Sequence, residues 1–189
     1  FLDDFEEISP IMKGSISAPF VKLLQDYQDN QKEDFNLQKR SYNDSWQTKP
    51  DLHTMTEFKP LRDKVIKVNK EILNILNYDV KDIKISSMWA TVLRPGESHP
   101  AHTHSNNFLA GVFYLHSDES ANIMFNDPRS VANVILPKAK KHSKENSTVE
   151  FYDSKPNRAV IFPAWLNHSV PVNKSTDNRI SIAWNIQVK

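Results

Sequence analysis

Two histidines in the second half of the chain are spaced as metal ligands often are. His102 and His104 follow a segment of strand-like alternation, and because they are two residues apart, their side chains point to the same face of an extended chain. Two imidazoles on one face can bind a single metal ion. Chance also produces such pairs in a chain with 7 His among 189 residues. The pair alone therefore leaves a metal site and unrelated surface or core histidines as competing interpretations.

The last strand pattern, from Arg179 to Val188, points to a polar ligand inside the fold. One face of this segment carries Ile180, Ile182, Trp184, Ile186 and Val188, and the other carries Arg179, Ser181, Ala183 and Asn185. We expect the apolar face to pack under helices from the N-terminal part of the chain, so that the polar face lines the interior of a barrel. Because burying polar side chains without partners is costly, such an interior predicts a bound ligand.

The elements that must position these residues change in kind near residue 80. Before it, apolar residues from Leu61 to Ile75 recur at steps of four and three, which predicts an amphipathic helix led in by Pro60. A further helix is predicted after Ser17. After residue 80 the period becomes two, and turn sequences separate short segments. The predicted strands cover residues 83–93, 107–115, 121–125, 131–136, 148–152, 158–162, 168–172 and 179–188.

Short strands that follow one another with no helical pattern between them predict a mainly β protein with N-terminal helices. An antiparallel sandwich or barrel is the expected architecture. Strict alternation also predicts which residues of the first strand share a face. These are Ile83, Ile85, Ser87, Trp89, Thr91 and Leu93.

The spacing of several motifs resembles a known group of enzymes. Gly96-x5-His102-x-His104 and Pro163-x4-His168 resemble the two halves of the cupin pattern, and His168 followed by Arg179-x-Ser181 resembles the iron(II) and 2-oxoglutarate dependent oxygenases. The chain is most similar to a family of such oxygenases found as small proteins in marine bacteria and their phages. The matching segments are Ser45-Trp46-Gln47, His102-x-His104, Leu109-x-Gly111-Val112-x-Tyr114-Leu115, Phe125-x-Asp127-Pro128-Arg129, Pro163-x-Trp165-Leu166-x-His168-x-Val170, and Arg179-Ile180-Ser181-Ile182 with Asn185.

This resemblance implies a double-stranded β-helix, a jelly roll of the cupin kind, with a helical support layer. The whole chain, 1–189, would form a single domain. Within it, residues 1–80 would form the helical and irregular support region and residues 81–189 the double-stranded β-helix core.

The resemblance also implies an Fe(II)/2-oxoglutarate-dependent dioxygenase, a hydroxylase that uses O2 and couples oxidative decarboxylation of 2-oxoglutarate to substrate oxidation. His102, His104 and His168 would be the catalytic metal ligands. Arg179 would hold the distal carboxylate of 2-oxoglutarate through its planar guanidinium, with a hydrogen bond from Ser181. A surface ion pair with Asp177 is the competing interpretation of Arg179. Asn106 would hydrogen-bond the oxo acid, although a turn residue fits its position equally well.

His104 departs from the pattern of the wider superfamily, where a carboxylate stands two residues after the first ligand. Three interpretations are open. In the first, His102, His104 and His168 form a three-histidine site, which strand alternation favours. In the second, only one of the pair binds and a carboxylate such as Glu97 or Asp127 completes the triad. In the third, two histidines and water suffice, and His104 orients a ligand.

Two alternative functions compete with the oxygenase. A three-histidine cupin metalloenzyme that does not use 2-oxoglutarate, similar to a thiol dioxygenase, would bind its substrate directly to iron and release no succinate. A non-catalytic β-barrel binding protein would take up no metal tightly. Both remain hypotheses that metal uptake and succinate formation distinguish from the first.

The composition limits which classes of binding partner and which cellular location we expect. There is no Cys, which excludes a disulfide framework and thiolate metal sites, and 24 basic against 23 acidic residues argue against nucleic acid as the partner. No apolar run approaches a membrane span, and the acidic start, Phe1 to Glu7, does not resemble a signal peptide. We therefore expect a cytoplasmic protein, or a phage-encoded one acting in the host cytoplasm, with a small-molecule, amino-acid or peptide substrate. The sequence is compatible with a homodimer.

Overall fold

The structure, a computed structural model, describes residues 45–129 and 135–189, together with the backbone of the short strand Leu2–Asp4. The helix predicted after Ser17 lies outside the described residues. So do residues 131–134 of the predicted strand 131–136, whose last two residues, Ile135 and Leu136, are exposed and belong to no strand.

The described residues form one six-stranded and one four-stranded sheet, both antiparallel. The strands are β1 (Leu2–Asp4), β2 (Trp46–Gln47), β3 (Ile83–Leu93), β4 (His99–His102), β5 (Leu109–His116), β6 (Ile123–Asn126), β7 (Val149–Tyr152), β8 (Arg158–Pro163), β9 (His168–Val170) and β10 (Arg179–Val188). The larger sheet has the order β1-β8-β5-β10-β3-β2 and the smaller one β4-β9-β6-β7. Because the chain passes repeatedly from one sheet to the other between β3 and β10, it winds into the expected double-stranded β-helix.

The helix α1 (Lys59–Ile75) supports the larger sheet from outside. Its predicted apolar stripe is buried from Leu61 to Ile72 and packs with Ile182 and Trp184 of β10 in one hydrophobic cluster. The prediction that the apolar face of β10 lies under a helix is therefore confirmed for α1. Ile75, the last position of the stripe, is 71% exposed because the helix ends there. Within the described part of the chain, no helix is long and apolar enough to cross a membrane.

The prediction that six alternating residues of β3 share one face is wrong. Ser87 pairs with Asn185 of β10 and Ile85 pairs with Ile186, so Ser86 is an extra residue that forms a β-bulge. The bulge reverses the alternation. Ile83 and Ile85 therefore join the cluster under α1, whereas residues from Ser87 onward at odd positions face the space between the sheets.

The space between the sheets holds a second hydrophobic cluster. It draws on both sheets and is rich in aromatic side chains, and it leaves one part of the interior open beside β3, β4, β9 and β10. The buried members of this cluster are Ala110, Val112, Tyr114, Ile123, Phe125, Val160, Phe162 and Ala164. The open part of the interior is where the predicted chemical residues meet.

Candidate active site

Three histidines from two neighbouring strands converge in the interior. His102 at the end of β4 pairs across the sheet with His168 at the start of β9, and His104 follows two residues later. One ring nitrogen from each lies within 4.8 Å of the others, a group that could hold a metal ion. The Nε2 atoms of His104 and His168 are 3.2 Å apart. The spacing of His102 and His104 alone did not reveal which distant residue would join them.

Backbone carbonyls fix two of these rings. His102 donates from Nδ1 to the carbonyl of Pro100 at 2.9 Å, and His168 donates from Nδ1 to the carbonyl of Leu166 at 2.9 Å. A carbonyl only accepts, so Nδ1 carries the proton in each ring and Nε2 is left with its lone pair. Such hydrogen bonds are the usual way in which proteins orient an imidazole toward a metal.

Burial keeps the three imidazoles neutral. Burial lowers the pKa of His102. Burial, with smaller effects from the nearby His102 and His99, also lowers the pKa of His104 to about 4. Burial also lowers the pKa of His168 to about 3, against the opposing effect of its hydrogen bond to Leu166. Neutral imidazoles are the form that binds metals. Two imidazoles at right angles on one ion, each at about 2.1 Å, would place their nitrogens about 3 Å apart, so the observed separation fits.

Arg179 lies at the other end of the same interior. It is 5% exposed, donates to the Ser181 hydroxyl at 3.2 Å, and has its guanidinium carbon 4.9 Å from the ring centroid of Tyr114. Burial lowers the pKa of Arg179, and among the described residues no carboxylate pairs with it. The competing interpretation, an ion pair with Asp177, is not observed, because Asp177 pairs with His116 at 2.8 Å. A buried cation without a counter-charge favours a bound anion.

Tyr114 adds a hydrogen-bond donor that the sequence did not identify. It faces Ser181 across β5 and β10 and is fully buried, and its hydroxyl oxygen lies beside the Arg179 guanidinium, so that its own O–H remains available to a ligand. Burial raises the pKa of Tyr114, opposed by the charge of Arg179 and by a hydrogen bond with its guanidinium, so the phenol keeps its proton. The pairing of β5 with β10 places the hydroxyl beside Arg179.

One cavity of about 60 Å³ is lined by the three histidines, Arg179 and Ser181. Its described lining is mostly apolar and contains no carboxylate, and Arg179 is its only Arg or Lys. The lining comprises Trp89, Thr91, Leu93, His99, His102, His104, Gly111, Val112, Ile123, Phe162, His168, Val170, Arg179, Ser181 and Ala183. Trp89 and His99 belong to this wall, although the sequence favoured a core role for Trp89 and a loop role for His99 over a place at the site.

The remaining candidates lie elsewhere. Asn106 is an exposed turn residue with φ of 63°, and its carbonyl accepts a hydrogen bond from Gln187. Glu97 accepts from the backbone of Arg94 at 2.7 Å, and Asp127 binds Arg129. None of the three lines the described cavity, and neither carboxylate belongs to the histidine group.

Comparison with known proteins identifies relatives of this arrangement. A family model described as "Putative 2OG-Fe(II) oxygenase" matches residues 87–185, just over half of the chain. The match includes His102, His104, His168, Arg179 and Ser181. No curated protein matches the sequence.

Solved structures share the fold at low sequence identity. A Pseudomonas putida prolyl-4-hydroxylase superposes with a TM-score of 0.61 at 11% identity, over 100% of this chain and 92% of that one. The epimerase SnoN, in complex with Fe3+, alpha ketoglutarate and nogalamycin RO, gives 0.64 at 8% identity, over 94% and 76%. The viral collagen prolyl hydroxylase from Paramecium Bursaria Chlorella virus-1, in its 2OG complex, gives 0.50 at 14% identity, over 85% and 87%.

Proposed function

The chain belongs to the 2OG-Fe(II) oxygenase family, and from this premise we propose that it is a hydroxylase of a small-molecule, amino-acid or peptide substrate. Iron(II) is its metal, 2-oxoglutarate its co-substrate and O2 its oxidant. The observation that carries the proposal is one cavity lined both by a neutral three-histidine group and by a buried arginine that pairs with no carboxylate among the described residues.

We assign the iron to the Nε2 atoms of His102, His104 and His168. One ring nitrogen from each lies within 4.8 Å of the others, and the Nδ1 hydrogen bonds of His102 and His168 hold those two rings in place and leave their Nε2 atoms free to bind. A set of three protein ligands leaves further coordination positions for the co-substrate and O2. Glu97 and Asp127 are engaged in their own turns, which favours the three-histidine site over a triad completed by either carboxylate.

We assign the distal carboxylate of 2-oxoglutarate to the opposite end of the cavity. Arg179 would pair with it, Ser181 would add a hydrogen bond, and the Tyr114 hydroxyl beside Arg179 is a further donor. An anion there would satisfy the buried guanidinium, including its Nε, which has no hydrogen-bond partner among the described residues. Asn106, exposed and outside the cavity lining, is not part of this assignment.

When bound, the iron and 2-oxoglutarate supply an oxidative decarboxylation that yields succinate and carbon dioxide and oxidises a C–H bond of the substrate. The protein orients the reactants and keeps water away from them. Val112, Ile123, Phe162 and Val170 form apolar walls between the two ends. Two of the structural neighbours are named as prolyl hydroxylases, which agrees with hydroxylation as the reaction. Their sequence identities of 11% and 14% support a shared fold only.

An anaerobic titration tests the proposal. Iron(II) is added to metal-free protein, followed by 2-oxoglutarate, and the visible spectrum is recorded. We expect a weak charge-transfer band that needs both additions and is lost in Arg179→Ala. Arg62→Ala, which removes an arginine on the exposed side of α1, is the matched control and should keep the band.

Admission of O2 then distinguishes the alternatives. Succinate formation in the presence of O2 supports the oxygenase. Iron uptake with neither band nor succinate would favour a cupin enzyme that binds its substrate directly. Absence of iron uptake would contradict the assignment of the three histidines.

A further inference from the structure

A second polar side chain on the interior face of β10, six residues beyond Arg179, has an acceptor atom that no described residue satisfies. Asn185 is 8% exposed and shares its face with Arg179, Ser181 and Ala183. Its Nδ2 donates to the Ser87 hydroxyl at 2.9 Å, whereas its Oδ1 is buried with no hydrogen-bond partner among the described residues. An unsatisfied buried acceptor costs about 1–3 kcal/mol, a cost that a donor from a ligand would offset.

Strand β10 places this acceptor relative to the histidines. Ala183 pairs with Trp89, both line the cavity, and the Trp89 ring lies 5.9 Å from the ring of His104. Asn185 pairs with Ser87, one interior position farther along β10. Alternate residues of a strand are about 7 Å apart, so Arg179 and Asn185 lie on opposite sides of the level of His104.

The two ends of the strand therefore present different chemistry. The Arg179 end offers a positive charge, which the proposed function assigns to 2-oxoglutarate. Asn185 offers a neutral acceptor one interior position beyond the pair of Ala183 and Trp89, and the cavity lining described above holds no carboxylate that would pair with an ammonium group. A neutral acceptor next to a mostly apolar cavity suits a neutral donor, such as an amide N–H, attached to an apolar group.

We propose that Asn185 binds the primary substrate, accepting a hydrogen bond at Oδ1 from an amide N–H, and that the substrate class is amino-acid amides or peptides. This inference rests on the proposed function, because it places the substrate on the side of the histidines that the co-substrate leaves open. Asn185 is thus a specificity-determining residue, one position beyond the cavity wall formed by Ala183 and Trp89.

The test uses N-acetyl amino-acid N-methylamides, one for each proteinogenic side chain, with iron(II), 2-oxoglutarate and O2. We expect at least one of them to raise succinate formation above the rate without a probe and to gain one oxygen atom in mass. For the most active probe, two analogues replace one or the other N–H by an ester oxygen. One of these replacements should lower kcat/KM at least tenfold.

Variants then assign that N–H to Asn185. In Asn185→Leu the amide probe should lose at least tenfold in kcat/KM, and the difference between amide and ester should disappear. Asn185→Asp retains an acceptor and should keep the preference for the amide over the ester. Gln187→Leu, which removes an amide from the same strand, is the control and should keep the wild-type preference.

Each outcome decides the inference. It is overturned if the wild-type protein forms the iron and 2-oxoglutarate band but no amide probe raises succinate formation, a result that leaves the proposed function standing. Persistence of the ester penalty in Asn185→Leu also overturns it, and so does a loss of the amide preference in Asn185→Asp. If Asn185→Leu does not fold, the ester analogues on wild-type protein and the Asp variant still decide. Absence of the band in the wild-type protein removes the proposed function and this inference together.

Discussion

His104 occupies the position at which the wider oxygenase superfamily has a carboxylate, and this changes the charge of the proposed site. A carboxylate would cancel one positive unit of iron(II), whereas the neutral His104, with its pKa lowered to about 4 by burial, cancels none. The described lining offers no other carboxylate. A site with three neutral ligands therefore keeps a stronger attraction for the dianionic 2-oxoglutarate.

Substitution of His104 separates a ligand from an orienting residue. We expect His104→Leu to weaken iron(II) binding by more than tenfold, because one of three ligands is lost. His104→Asp should retain iron binding but weaken 2-oxoglutarate binding several-fold, because the site becomes less positive. Both affinities are measured by anaerobic titration, with the exposed His142→Leu as the control. Iron affinity in His104→Leu equal to that of wild type would contradict a ligand role.

Tyr114 permits a substitution that removes a single hydroxyl. We expect Tyr114→Phe to weaken 2-oxoglutarate binding about ten- to hundredfold, since a hydrogen bond to a charged group contributes about 1.5–3 kcal/mol. The Tm should change little, because Arg179, the described group beside this hydroxyl, keeps its hydrogen bond to Ser181. Titration of the charge-transfer band measures the affinity, and Tyr78→Phe, at an exposed tyrosine, is the control. An unchanged affinity would place the hydroxyl outside the carboxylate site.

Strand β10 connects the supporting helix α1 with the residues of the proposed site. Its outer face packs against α1 through Ile182 and Trp184, and its inner face carries Arg179, Ser181 and Asn185. Packing of the outer side chains therefore restrains the positions of the inner ones. Close contact between β10 and β5 occurs at Gly111, where a β-carbon would collide with the Trp184 indole.

The substitution Gly111→Ala tests this contact. We expect it to destabilise the protein by about 1–3 kcal/mol, the usual cost of an extra methyl group in a packed core. Thermal unfolding measures the change, which should lower Tm by several degrees. The double variant Gly111→Ala/Trp184→Leu provides the control, because a smaller side chain makes room for the methyl group. Additive effects of the two substitutions would contradict a direct collision.

The two large hydrophobic clusters of the molecule have different roles. One lies between α1 and the larger sheet, and the other lies between the sheets beside the proposed site. Beside the second cluster lie a cavity and buried polar atoms with no hydrogen-bond partner among the described residues, and their desolvation costs free energy that bound ligands would offset. Binding of metal and co-substrate should therefore raise the free energy of unfolding of the whole protein.

Thermal unfolding with ligands measures that linkage. With Mn(II) in place of the oxidisable iron, and 2-oxoglutarate at about one hundred times its Kd, we expect stabilisation of about 2.7 kcal/mol, or roughly 5–10 °C in Tm. Chelation of the metal should reverse it. Arg179→Ala should respond to Mn(II) but not to 2-oxoglutarate. An equal response to 2-oxoglutarate in the presence of a chelator would show that its binding does not involve the metal.

Local patterns in the sequence determined much of the fold. The stripe of α1 and the alternation of β10 are set by neighbours three, four or two residues apart, and both are found as predicted except at Ile75 and Val188, which are exposed. The same locality placed His102 and His104 on one side of the chain. The β class and the family followed from these short-range signals, since each depends on residue order alone.

Which side chains face the interior depends on tertiary packing. The bulge at Ser86 reversed a face of β3, the pairing of β5 with β10 put the Tyr114 hydroxyl beside Arg179, and Asn106 proved to be exposed. His168, 64 residues beyond His104, meets it through the pairing of β4 with β9. Register and bulges are set by packing between distant strands, and a difference of one residue moves a side chain to the other face. No local pattern carries that information, whereas the packed sheets do.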